Sequence, residues 1–196
     1  MKVPFKNKLY HKLQKIPVIR QVLMNPPLIL NPPMNKRKGQ FLKIDENPFH
    51  HFNLKKSEWL CYPAKVGELI ILVYIHEKFL ELGLSLCNLF DLANDKDLQK
   101  KPDGVYAFGV PGKILHSLGE FPTVFFDDTE SDIMAAACPN ADEYGYFGYL
   151  KKMMLTLHNA IMMKRGFLPF HGSLVKILLK DGTEATICMI GDSGAG

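Results

Sequence analysis

Apolar positions fall into two patterns along this chain. In Ser173-Leu-Val-Lys-Ile-Leu-Leu179 and Glu184-Ala-Thr-Ile-Cys-Met-Ile190 they run almost unbroken, and the two runs flank Asp181-Gly182. Asp-Gly between apolar, β-branched runs predicts a hairpin. Gly104–Val110 and Thr123–Phe126 read as further strands, Pro111-Gly112 as a turn, and Phe41–Ile44 as a short strand. Elsewhere the spacing is helical. Val66, Leu69, Ile70, Val73, Tyr74 and Leu80 predict a largely buried helix over 65–82, ended by Gly83. Leu150, Met154, Leu157 and Ile161 predict a second helix within 144–166, with basic residues in its last turn and Gly166 as terminator. Leu84–Ala93 fits helix or loop, Ser131–Ala137 fits helix or strand, and Ile114–Leu118 fits no single pattern. Strands interleaved with helices give an α/β fold class.

The first forty residues read differently. Pro4 and Pro17 interrupt a basic amphipathic stretch, and Asn25–Pro33 is extended because each proline fixes φ and biases the residue before it. Residues 1–38 carry nine lysines and arginines and no acidic residue, leaving the rest of the chain at −5 of the overall +4. We expect residues 1–40 to form a basic arm against an acidic body, not a nucleic-acid or membrane-surface contact, since aromatics are not interleaved with the charges. Residues 41–166 are then an N-terminal α/β domain and 167–196 the opening of another. The four cysteines are scattered without a C-x-x-C pair, which suits buried reduced thiols. The longest apolar run, Leu69–Ile75, is too short to span a bilayer. Charges interrupt the N-terminus every few residues, unlike a secretory leader. The expectation is a cytoplasmic protein.

Candidate chemistry concentrates at the C-terminal end. Gly191-Asp-Ser-Gly-Ala-Gly196 follows an apolar run in the strand-then-loop order of a P-loop, G-x-x-x-x-G-K-[ST]. Its glycines let backbone N–H groups curl around phosphate oxygens. The lysine and hydroxyl residue of that motif would follow Gly196. Two other clusters carry weaker signals. Asp127, Asp128 and Glu130 after a strand read as solvated turn chemistry more readily than as a metal loop, and adjacent His50 and His51 point apart in any regular element.

Tyr146-Phe-Gly-Tyr-Leu-Lys151-Lys152, a Met-rich helix closing at Gly166, His171-Gly172-Ser173 and the glycine loop form an ordered series. It resembles phosphoenolpyruvate carboxykinase of the ATP-dependent type, with its Y-G-G-E-M-K-K, H-C-S and G-L-S-G-T-G-K-T motifs. The intervals Lys152 to His171 and Lys151 to Gly166 match that family, and the resemblance covers about residues 144–196. It implies a carboxykinase-like N-terminal mixed α/β domain followed by the start of a P-loop nucleotide-binding domain. It further implies ATP-dependent decarboxylation and phosphorylation of oxaloacetate to phosphoenolpyruvate, a gluconeogenic step, with ATP and Mn²⁺ or Mg²⁺. Its partners would be that small substrate and the nucleotide, without membrane or nucleic acid.

By position, Lys151 would stabilise the enolate oxygen left as CO₂ departs. Lys152 and His171 would ligate the metal, the lysine as its neutral amine. Tyr146 would lie beside the substrate. Ser173, Gly191, Asp192, Ser193, Gly194, Ala195 and Gly196 would bind the nucleotide. The chain departs from the family at Gly172, where a cysteine is usual, and in a longer interval from His171 to Gly191. Without the P-loop lysine, the acidic pair and the arginine that complete such a site, residues 1–196 alone are expected to be inactive. HPr kinase/phosphorylase, with H-G and G-D-S-G-x-G-K-S, matches His171-Gly172 and Gly191–Gly194 more literally but lacks the tyrosine and lysine-pair helix. A non-catalytic binding module is the third alternative. The trypsin-like G-D-S-G-G-P loop is rejected, because no histidine stands in the A-A-H-C context and the cysteines show no disulfide pattern.

Overall fold

The computed structural model describes residues 3–22, 41–119 and 123–191. Its strands in chain order are β1 (Leu42–Lys43), β2 (Trp59–Val66), β3 (Leu69–His76), β4 (Asp91–Leu92), β5 (Gly104–Val110), β6 (Val124–Asp128), β7 (Ile133–Pro139), β8 (Gly172–Leu178) and β9 (Glu184–Ile190). The α-helices are α1 (Leu80–Leu84), α2 (Gly112–His116) and α3 (Phe147–Lys164). The chain divides into two compact units, Met1–Ile161 and Met162–Gly196.

The first unit is a mixed α/β fold built on a seven-stranded sheet of order β1-β6-β7-β5-β3-β2-β4. Strands β3, β5 and β7 run parallel at its centre, and β2 and β6 flank them as antiparallel hairpin partners. The helix expected over 65–82 is instead the β2–β3 hairpin. Leu69–Ile75 is apolar at every position, and a strand covered on both faces shows no alternation to betray it. The turn is Gly67-Glu68, with Gly67 at φ +59° in the left-handed region that suits the first position of a tight hairpin turn. Gly83, expected as a helix terminator, lies inside α1, where a Cβ would stand 2.4 Å from Ile75 Cδ1. It is glycine because the helix backbone approaches β3 there.

Residues 3–22 also depart from the expected arm. Val3, Phe5, Tyr10, Leu13 and Ile16 are buried in the same core as Leu72, Tyr74, Val105 and Ala135. Lys8–Lys15 forms a 3₁₀ helix, its start capped by the Asn7 side chain accepting from Leu9 N–H. Lys12 donates to the carbonyls of Phe49 (2.5 Å) and Phe52 (2.6 Å), and Arg20 pairs with Asp95. Two of the basic groups therefore fasten the segment down. Val18 bridges Cys61 in parallel, with Cys61 N–H donating to Pro17 O and Ile19 N–H donating to Cys61 O. Residues 23–40 of the expected arm lie outside the described residues.

This segment covers one face of the sheet. On the other, Gly83 of α1 meets Ile75, and the buried Tyr106 hydroxyl of β5 donates to the Tyr149 carbonyl of α3 (3.3 Å). Ser131–Ala137, open between helix and strand, is mostly β7, and α2 supplies the short element around Ile114.

The second unit contains the β8–β9 hairpin in register from Gly172↔Ile190 to Leu178↔Glu184. Its loop is held by Asp181, whose Oδ1 accepts from Thr183 N–H (2.9 Å) and Thr183 Oγ1 (2.7 Å). Those bonds hold the Asp181 carboxyl below the usual carboxylate range. Gly182 takes φ +84°, as a longer hairpin loop closed by a left-handed residue requires.

Candidate functional site

The α3 helix positions the lysine pair. Leu150, Met153, Met154, Leu157 and Ile161 are buried at helical spacing, so Lys151 and Lys152 are left on the solvent side of the first turns. The helix ends where expected. Phe167 N–H donates to Met162 O and Gly166 N–H to Met163 O, with Gly166 at φ +84°, the two bonds of a Schellman closure. The helix itself carries no acidic residue, and among the described residues no carboxylate pairs with Lys151 or Lys152. Two adjacent ammonium groups near the positive end of a helix are placed against the helix dipole, which favours an anion there.

Tyr146 precedes the helix and is half-buried. Its ring stands edge-on to Tyr149 at 6.3 Å, and Tyr149 also packs on Tyr144 at 5.0 Å. Burial, with Glu143 nearby, pushes the Tyr144 phenol up to about 12. These groups stand just past the C-terminal end of β7, the sheet edge where ligands of open α/β folds collect. The adjoining pocket of about 590 Å³ is not suited to an anion, for Glu77, Glu81 and Asp142 line it with Lys78, and Lys78 is already paired with Asp142 (2.6 Å).

In the second unit the hairpin register closes the interval between two candidate groups. His171 directly precedes β8, and its carbonyl accepts from the Gly191 N–H (3.3 Å). The candidate metal ligand is thereby fixed beside the first glycine of the loop, with Ser173 opposite Met189. A Cβ on Gly172 would stand 2.3 Å from the Met189 carbonyl oxygen, so this register excludes the cysteine usual in the resembled family. His171 and Ser173 are exposed. Asp192, Ser193, Gly194, Ala195 and Gly196 lie outside the described residues.

No protein-family model matches the chain, and no curated protein matches it.

Among the described residues no group of three or more His, Cys, Asp and Glu side chains is placed to hold a metal ion. Lys152 and His171 alone offer nitrogen donors, whereas Mg²⁺ and Mn²⁺ prefer oxygen ligands. Likewise no helix among the described residues is long and apolar enough to cross a membrane.

One polar cluster was not visible in the sequence. Asp128, expected as a solvated turn residue, is buried and accepts from the Tyr10 hydroxyl (2.8 Å), Ser131 Oγ (2.8 Å) and Ser131 N–H (3.0 Å), while Asn47 donates to the Tyr10 hydroxyl (2.7 Å). Desolvation and the Asp128 carboxylate drive the Tyr10 phenol pKa up. The signal was hidden because Tyr10 comes from the presumed arm. Through the Tyr10 hydroxyl, these bonds fasten the N-terminal segment to Asn47 and to the end of β6. Of the thiols, Cys61 and Cys138 are buried as expected, whereas Cys87 is half-buried and Cys188 is exposed on β9.

Proposed function

We propose that the chain is the substrate-facing part of a phosphoenolpyruvate carboxykinase-like enzyme, acting on oxaloacetate with ATP and Mn²⁺ or Mg²⁺ in the cytoplasm. The observation that carries the reading is the exposed Lys151-Lys152 pair on the first turns of α3, five and six residues after Tyr146, with no carboxylate partner among the described residues. In this reading Lys151 faces the enolate oxygen and lowers the barrier to losing CO₂ by stabilising charge that develops only in the transition state. Tyr146 orients the carboxylate. By the resemblance, Lys152 and His171 would each stand at a metal-ligand position, and Ser173 with residues 191–196 would cradle the nucleotide phosphates. The nucleotide and metal come from the resemblance alone.

A second reading is favoured by Gly172. Its lack of room for a side chain suits the H-G motif of an HPr kinase/phosphorylase-like protein kinase. Two titrations separate the readings. A carboxykinase-like chain is expected to bind oxalate, a planar dicarboxylate, and MgATP. A kinase-like chain is expected to bind MgATP and not oxalate. Binding of neither contradicts both and leaves a non-catalytic module.

A further inference from the structure

Gly148 lies in the first turn of α3, where glycine costs helix stability relative to alanine. Its backbone is outside the left-handed region, so the reason for it is space. A Cβ built there would stand 2.0 Å from Tyr146 Cε1, 2.7 Å from Cδ1 and 2.8 Å from Cζ. These are atoms of a rigid ring, which can yield only by swinging away as a whole. The Tyr146 ring therefore rests on the bare backbone of Gly148. Tyr149 stands edge-on to it, itself buried and fixed through its carbonyl by Tyr106.

Lys151 and Lys152 follow Gly148 by three and four residues, which puts them on its face of the helix, and helical side chains lean back toward the N-terminus. The seat of the tyrosine ring is thus the surface toward which both lysines lean. We infer that Gly148 is a positioning residue, whose missing side chain seats the Tyr146 phenol on the face of α3 that carries the lysine pair, so that phenol and ammonium groups meet one dicarboxylate together. This rests on the reading of the lysine pair as a dicarboxylate site. No contact of Gly148 with substrate is required, since it acts through Tyr146.

The test is an oxalate titration of the wild-type chain, Gly148→Ala, Tyr146→Ala and the double variant, with melting temperatures and Tyr146 ring resonances by NMR. Gly148→Ala is expected to bind about tenfold more weakly, the loss of one hydrogen bond to a charged group, with no further loss when added to Tyr146→Ala. Its melting temperature should hold or rise, because alanine is the better helix former. A merely structural glycine would lower both together. Unchanged affinity in Gly148→Ala, or an equal loss with and without the Tyr146 ring, overturns the inference. If the wild-type chain binds no oxalate, the lysine-pair reading fails by itself. The ring resonances then judge the seating: a shift on Gly148→Ala sustains it, and superimposable spectra overturn it.

Discussion

Strand β3 and the β8–β9 ribbon are written in the same alphabet of Leu, Ile and Val, yet they end in opposite environments. Leu69 through Ile75 are buried to within a few per cent, whereas Leu174, Leu178 and Ile190 are about seventy per cent exposed. Hydrophobic sequence alone therefore does not create a core. Strand β3 is covered because two neighbouring strands pair with it and the N-terminal segment and helices close over its faces. The ribbon has Val175, Ile177, Ala185, Ile187 and Met189 on one face and Leu174, Leu178, Cys188 and Ile190 with the Lys176–Glu184 pair on the other. Apolar residues on both faces are the mark of a strand made to be covered twice. A two-stranded hairpin by itself is marginal in water.

The largest expected contrast is between Leu72→Ala in β3 and Leu174→Ala in β8. The first should cost about 3 kcal/mol by transfer and cavity terms, the second under about 0.5 kcal/mol, both read from urea unfolding. Equal costs would break the comparison. Next comes Asp128→Ala, which strips the Tyr10 hydroxyl and Ser131 of their acceptor and should cost about 2 kcal/mol. If it costs nothing, the N-terminal segment is not fastened as described.

Alkaline pH sharpens the contrast without mutation. Burial pushes the Cys61 thiol up to about 12, and Cys138 and Tyr106 are likewise raised. These groups deprotonate first in the unfolded chain. Their contribution is present in full below the ordinary thiol range and is lost as pH rises from there toward the folded values. Unfolding free energy should fall as pH rises above about 9, and a flat profile would contradict that burial. At pH 8 a thiol reagent should label exposed Cys188 rapidly and reach Cys61 and Cys138 only on unfolding. The smallest effect is Lys176→Ala, whose exposed pair with Glu184 should be worth under about 0.5 kcal/mol.

The same contrast explains what was legible. The α3 helix was readable from period and terminator, and the hairpin from Asp181-Gly182, because both signals are local. Strand β3 was mistaken for a helix because a strand buried on both faces has no period, and only its neighbours reveal it. The role of residues 3–22 was invisible for a related reason, since Tyr10 finds its partner Asp128 far along the chain. The roles proposed for the lysine pair and His171 rest on their motif, whereas the space that Gly148 leaves for Tyr146 is a property of the folded helix alone.

The most direct measurement is an oxalate titration of the wild-type chain against the Lys151→Ala/Lys152→Ala variant, with both shown to be folded by circular dichroism. The expected result is saturable binding by the wild type that weakens with salt and is lost in the variant. Equal affinity in the two chains, or no affinity in the wild type, would contradict the assignment of the lysine pair to a dicarboxylate.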